Sequence, residues 1–295
     1  MKLIGVCVVL ALLVTTAAAD PAPAPRRRPN PCGGNPCGGK PMPPRMPPPR
    51  RAEADPAKTY AIKLDADDAI DGAPEAKVTI VDTYDYACPY CDKVRPTLAA
   101  LKEKYGKDLR IVYKQYVVHM TNAMAGALAA CAANRQLGFA SVDAAIWDGY
   151  KNGKLDANGP NGSTCWTSKE GCPIADAAAK AAHLDMAKFK ADMTSCKTAV
   201  ASSMADMQSF GVYAIPTFFI TGRALMGAQP QASFEAIIDE EMKKADAKIK
   251  AGTKPAKYYQ QWVVDHGDKA FAAKPANPCG GGMPQHPMNP CGGGM

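Results

Sequence analysis

The sequence has no apolar run of full membrane-spanning length. Its one candidate, Leu3 to Val14, is short for a bilayer. With Lys2 before it and Ala17-Ala18-Ala19 ahead of Asp20, it reads as a secretory signal over residues 1–19. An uncleaved anchor is the alternative, and Arg26-Arg27-Arg28 just beyond resists export. The main body also lacks net charge. The total is +7, but Lys2 supplies +1, and six Arg and one Lys against Asp20 give +6 over residues 20–51, so residues 52–295 sum to zero. No basic-aromatic stripe accompanies that balance, which argues against nucleic acid as a partner. Residues 20–51 have almost no large apolar side chains and carry twelve prolines, so a tail over about 20–56 cannot form a core. Cys88 and Cys91 also lack a second Cys/His pair at ligand spacing, because His119 and Cys131 do not supply one. That absence disfavours a zinc site.

Cysteine, by contrast, is plentiful. Of eleven, Cys7 would leave with the signal, and the ten that remain behind an export signal imply an oxidising compartment, the periplasm in a bacterium. The most informative four residues are Cys88-Pro89-Tyr90-Cys91, between a strand-like run, Val78 to Tyr84, and an amphipathic helix pattern. A sulfur at a helix N-terminus sits among unpaired N–H groups at the positive end of the helix dipole. That setting favours thiolate, the form that attacks disulfides. Cys91, one turn on, lies on the same face and can close a ring onto Cys88, so the pair reads as a redox dithiol.

Around that motif the pattern is mixed. Tyr60 to Leu64 is expected as a short strand with alternating faces, Val78–Tyr84 as a buried strand, and Leu109 to Val118 as a second. The helix between the last two should run to about Tyr105 with a kink at Pro96, and strand–helix–strand predicts a parallel pair with a right-handed crossover. Ala-rich helical spacing follows in 121–137, 140–150, 173–182 and 186–208. A strand from Pro216 to Ile220, a turn, a strand to Met226 and a helix to about Lys248 complete the order. Tyr258 to Trp262 reads as a last helix packing its aromatics.

This order, with Val78-Thr-Ile-Val-Asp-Thr-Tyr-Asp-Tyr-Ala-Cys-Pro-Tyr-Cys91, Pro96-Thr-Leu98 and Ile215-Pro-Thr-Phe-Phe-Ile-Thr-Gly222, resembles the bacterial Dsb-type (DsbA-like) thiol–disulfide oxidoreductases. The resemblance covers about 57–250 and implies an α/β thioredoxin fold, a central mixed sheet flanked by helices with an all-helical insertion at about 120–208. Residues 251–272 then form a C-terminal helical segment, and 273–295 a second tail. It further implies Cys88 as attacking thiolate, Cys91 as resolving thiol, and Pro216 as the cis-proline facing them. Asp82 matches the buried acid that moves protons to and from the resolving cysteine, and the other reading of it is an exposed strand-end carboxylate. Pro89, Tyr90 and Ile215 would border the substrate. Tyr90 stands where some family oxidases place a histidine, which implies a milder oxidant. Expected partners are cysteine-containing envelope proteins and, by analogy, a membrane redox partner. No cofactor is expected beyond the Cys88–Cys91 disulfide. No N-terminal dimerisation domain is evident, which favours a monomer.

Cys131, Cys165, Cys172 and Cys196 lie in the helical insertion and allow three pairings. Cys165 with Cys172 looks like a locally closed loop, leaving Cys131 with Cys196 to tie two helices as structural bridges. The last four, Cys32, Cys37, Cys279 and Cys291, sit in repeated Asn-Pro-Cys-Gly-Gly segments near Met42, Met46, Met283, Met288 and His286. Soft sulfur ligands suit copper(I), so an envelope copper-binding protein on a thioredoxin scaffold is the rival class. His119, after the second strand, reads as a surface histidine, with a place near the active-site mouth as the alternative.

Overall fold

The computed structural model describes residues 52–273 apart from 157 and 163. Its centre is a five-stranded sheet of β2 (Ala69–Asp71), β3 (Val78–Tyr84), β4 (Leu109–Gln115), β5 (Thr217–Ile220) and β6 (Arg223–Met226), ordered β2-β4-β3-β5-β6. β3 and β4 run parallel, in register from Val78 opposite Leu109 to Tyr84 opposite Gln115, and are joined through α1 (Pro89–Tyr105). β2 pairs antiparallel with β4, β5 with β3, and β6 with β5. β1 (Ala52–Glu53) and β7 (Ala272–Ala273) form a separate two-stranded ribbon.

Every residue of β3 is buried, as the sequence pattern predicts for a central strand. Side chains alternate between its two faces. Val78 and Ile80 pack with Val94 and Leu98 of α1 and with Phe234 and Ile238 of α6 (Gln231–Lys250). Val81 packs on the other face with Tyr60, Phe219 and Val263. The same alternation puts Asp82 on the α1 face, beneath the dithiol.

Between β4 and β5 lies the helical block: α2 (Met120–Asn134), α3 (Phe139–Lys151), α4 (Pro173–Ala181) and α5 (Met186–Phe210). α2 is buried almost all round because its alanines present little bulk, and α3 and α5 pack closely against it. α5 begins at Asp185, whose carboxylate accepts from the Ala187 and Lys188 N–H groups, and ends at Gly211 with a left-handed φ of 99°. α1 runs unbroken through Pro96.

Two strand expectations differ from the structure. Tyr60 to Leu64 is not a strand. Tyr60, Ala61 and Ile62 are all buried, so the faces do not alternate, and Tyr60 makes only an isolated bridge to Asp268. Its backbone N–H donates to Gly222 and that of Ile62 turns back to Tyr60, which removes this segment from the ladder. β2 edges the sheet instead. β4 stops at Gln115 rather than Val118, because the Val118 and His119 N–H groups donate to a side chain, Asp85, rather than to a neighbouring strand. Past α6, helix α7 (Pro255–Tyr259) and a π-helical turn, Gln260–Val264, bring Tyr259 and Val263 into the core beside Tyr60, with Phe271 behind them.

Candidate active site

Cys88 is the residue before the first turn of α1, with Pro89 as the first helical residue, where its missing N–H removes nothing. Cys88 and Cys91 are both free thiols and both buried, while Pro89 and Tyr90 between them are exposed. The Cys88 sulfur accepts a hydrogen bond from the Cys91 thiol and is faced by the Cys91 and Tyr90 backbone N–H groups. Together these outweigh burial and lower its pKa from 9.0 to about 6. Cys91 goes the other way. Burial first, then its bond to Cys88 and the charge of Asp82, hold it as a thiol far above the usual range. The two sulfurs thereby differ: Cys88 favours the thiolate and Cys91 stays a thiol.

The peptide bond between Ile215 and Pro216 is cis, just before β5. The Ile215 carbonyl lies 3.9 Å from the Cys88 sulfur, so the sequence-distant Ile215-Pro216 corner stands beside it. Asp82 is 5% exposed, not a surface carboxylate, and its Oδ1 has no hydrogen-bond partner among the described residues. Burial, then the neighbouring charge of Asp143, then Cys88, raise its pKa from 3.8 to about 8. Asp82 and Cys91 line one cavity of about 360 Å³, with Tyr84, Arg95, Tyr113 and Asp143 among its walls.

The most connected residue here is one that the sequence pattern does not single out. Asp85, fully buried, accepts from the Ala87, Val118 and His119 N–H groups at 2.8–2.9 Å. Its carboxylate also meets His119 Nδ1 at 2.9 Å. His119 is therefore not a plain surface residue. Its ring is half-exposed but tied to a buried acid. Asp85 thus fastens the turn that carries Cys88 to the loop after β4. The Asp85–Ala87 turn is a local side-chain motif that sequence can suggest, whereas its other partners lie 33 and 34 residues away and leave no local trace. Equally unmarked is a hydroxyl chain in which Gln115 donates to Tyr84, Tyr84 to Tyr86 and Tyr86 to Asp143 of α3.

Cys131 is bonded to Cys196, joining α2 to α5, and Cys165 to Cys172, closing a seven-residue separation. Neither bridge involves Cys88 or Cys91. Cys32, Cys37, Cys279 and Cys291 lie outside the described residues, as do the leading segment 1–19 and both expected tails except residues 52–56 and 273.

A thioredoxin family model matches residues 65–240, more than half of the chain. Among solved structures, α-DsbA1 of Wolbachia pipientis superposes with a TM-score of 0.50 at 15% identity, covering 63% of this chain and 96% of that one. A thioredoxin-like oxidoreductase of Silicibacter pomeroyi matches at 24% identity with a TM-score of 0.48, over 61% of this chain and 94% of that one. The Na(+)/H(+) antiporter NhaA of Herminiimonas arsenicoxydans is 26% identical over 174 residues, 58% of this chain. The chain spans only 25% of that protein's length, and no helix among the described residues is long and apolar enough to cross a membrane. The sheet order, the Cys88–Cys91 helix start and the match over residues 65–240 agree: the chain belongs to the thioredoxin family and has the fold of a DsbA-type member.

Proposed function

We propose that the protein is a thiol–disulfide oxidoreductase acting on protein cysteines in the cell envelope. The observation that carries this reading is the division of labour within one buried pair: Cys88 lowered to about 6 and Cys91 raised far above its ordinary value. In the oxidised form a substrate thiolate attacks the Cys88 sulfur. The Cys88–Cys91 bond breaks, Cys91 leaves with the electron pair and takes a proton, and a mixed disulfide joins Cys88 to the substrate. A second substrate thiolate attacks the substrate sulfur of that bond. Cys88 then leaves as thiolate, and its low pKa makes it a good leaving group. Run backwards, the same steps reduce a substrate disulfide.

Exposed apolar side chains support a protein substrate. Tyr90 is 60% exposed, and Val118, Met120 and Tyr213 also face water. All four sit on segments bordering Cys88: its own helix start, the loop fastened by Asp85, and the approach to Ile215. Such a rim suits an unfolded chain presenting a cysteine among apolar residues. The leading apolar segment and the two insertion disulfides support an oxidising, envelope location. The test is turnover. Oxidation of a reduced two-cysteine protein, or reduction of insulin, should be lost in Cys88→Ser and retained when residues 20–51 and 274–295 are removed. Activity surviving in Cys88→Ser would refute the reading.

A further inference from the structure

The cavity behind Cys91 holds two carboxylates, and they come from different parts of the fold. Asp82 belongs to the sheet and Asp143 to α3 of the helical block. Asp82 faces the cavity with an unpartnered Oδ1 and is almost fully buried, so a proton arriving there leaves through that cavity. Asp143 is better placed. Its side chain is 17% exposed, its Oδ1 accepts from Tyr86 at 2.8 Å, and its Oδ2 lies 3.9 Å from Arg95. Arg95 is itself 31% exposed, lines the same cavity, lies over the Trp147 ring at 4.9 Å and also meets Asp92, one turn back on α1, at 3.6 Å. About 360 Å³ of polar-walled space is roomy enough for several waters.

We propose that Asp143 is a positioning residue for the resolving step, the second member of a carboxylate pair that passes the Cys91 proton from Asp82 towards solvent. The proposal rests on the thiol–disulfide reading above. When Cys91 attacks the mixed disulfide, a sulfur–sulfur bond forms between Cys91 and Cys88. The bond from Cys88 to the substrate breaks, and the substrate sulfur leaves with its electron pair. The Cys91 proton goes to the Asp82 carboxylate. Two carboxylates facing one cavity disfavour each other's charge. The pair therefore holds one proton between them, which moves from Asp82 to Asp143 through the cavity, and Arg95 favours its release from Asp143 at the exit. The same route run inwards returns a proton when Cys91 is the leaving group.

The other titratable groups facing the pair do not replace it. Tyr84 and Tyr86, on the β3 side, have pKa values raised well above 10 by burial. Tyr113 of β4 is raised by burial as well. Lys102 of α1 and Asp71 of β2 pair with each other at 3.1 Å at the cavity edge. Cys88 and Cys91 are the reacting groups.

The experiment mixes the reduced full-length protein with oxidised glutathione. It follows, by acid quench and mass spectrometry of the peptide carrying Cys88 and Cys91, the glutathione-independent conversion of the Cys88 mixed disulfide into the Cys88–Cys91 disulfide. In the unmodified protein this rate should rise with pH to a midpoint near 8, set by Asp82. Asp143→Asn keeps an acceptor for Tyr86 but removes the charge, and should lower the midpoint by about half a pH unit or more. Arg95→Gln should raise it. The Cys88 alkylation midpoint, near 6, should stay in place in both and so reports that the site is intact. If both variants keep the parent midpoint while Asp82→Asn abolishes it, Asp143 is only the acceptor for Tyr86 and the proposal is overturned. If the unmodified protein forms no Cys88–Cys91 disulfide, the oxidoreductase reading itself fails and takes the proposal with it.

Discussion

Cys88 and Cys172 both precede a helix that opens on proline, but Cys172 is bonded to Cys165, whereas Cys88 is free, with donors from Cys91 and Tyr90 aimed at its sulfur. Its depressed pKa stabilises the reduced fold at alkaline pH, and that contribution is lost as pH falls through about 6. Alkylation of the reduced protein should therefore follow a midpoint near pH 6 at Cys88, with Cys91 unmodified until the protein unfolds. Peptide mapping after a short iodoacetamide pulse reads both. Asp82 has the opposite sign. Its folded pKa, about 8, is above the unfolded 3.8, so the folded state binds the extra proton. Stability is full below pH 4, falls between pH 4 and 8, and levels off above. Asp82→Asn should accordingly match the parent at pH 4 and exceed it at pH 7 by no more than about 4 kcal/mol, while resolving mixed disulfides more slowly. Urea unfolding at the two pH values measures the difference, and equal stability at both would place Asp82 in contact with water.

The elements were legible in proportion to how locally they are determined. β3, α1 and the four helices of the block follow from apolar period, alanine content and Cys-Pro at the helix start. The β2 edge strand and the early end of β4 did not. One is three residues long, and the other is ended by a carboxylate 33 residues away. The site divides the same way. Cys88, Cys91 and Pro216 carry motifs, whereas Asp85, Tyr86 and Asp143 act through contacts that only folding creates. The block's two bridges give an element-scale prediction. Cys131–Cys196 closes a separation of 65 residues and Cys165–Cys172 one of 7. By loop entropy the first should contribute about 4 kcal/mol and the second about 2. Replacing each pair by alanines and comparing urea midpoints checks the order, and a larger loss from the short loop would point to packing rather than chain entropy.

At the scale of the whole molecule, two units of structure meet at one sulfur. The sheet supplies Asp82 and leads to the Ile215-Pro216 corner and to the loop fastened by Asp85, and the helical block supplies Asp143 and Trp147 of the cavity wall. Cys88 stands beside segments that expose Tyr90, Val118, Met120 and Tyr213, and Cys91 lines a polar cavity that has none of them in its walls. That arrangement suits the proposed thiol–disulfide exchange, and covalent capture is the most direct measurement of it. Reduced Cys91→Ser protein, full length, is incubated with a protein substrate containing one disulfide, and the adduct is mapped by mass spectrometry. The account predicts a one-to-one mixed disulfide on Cys88, released by dithiothreitol and absent when Cys88 is also replaced by Ser. An adduct confined to other cysteines, with Cys88 unmodified, would contradict it.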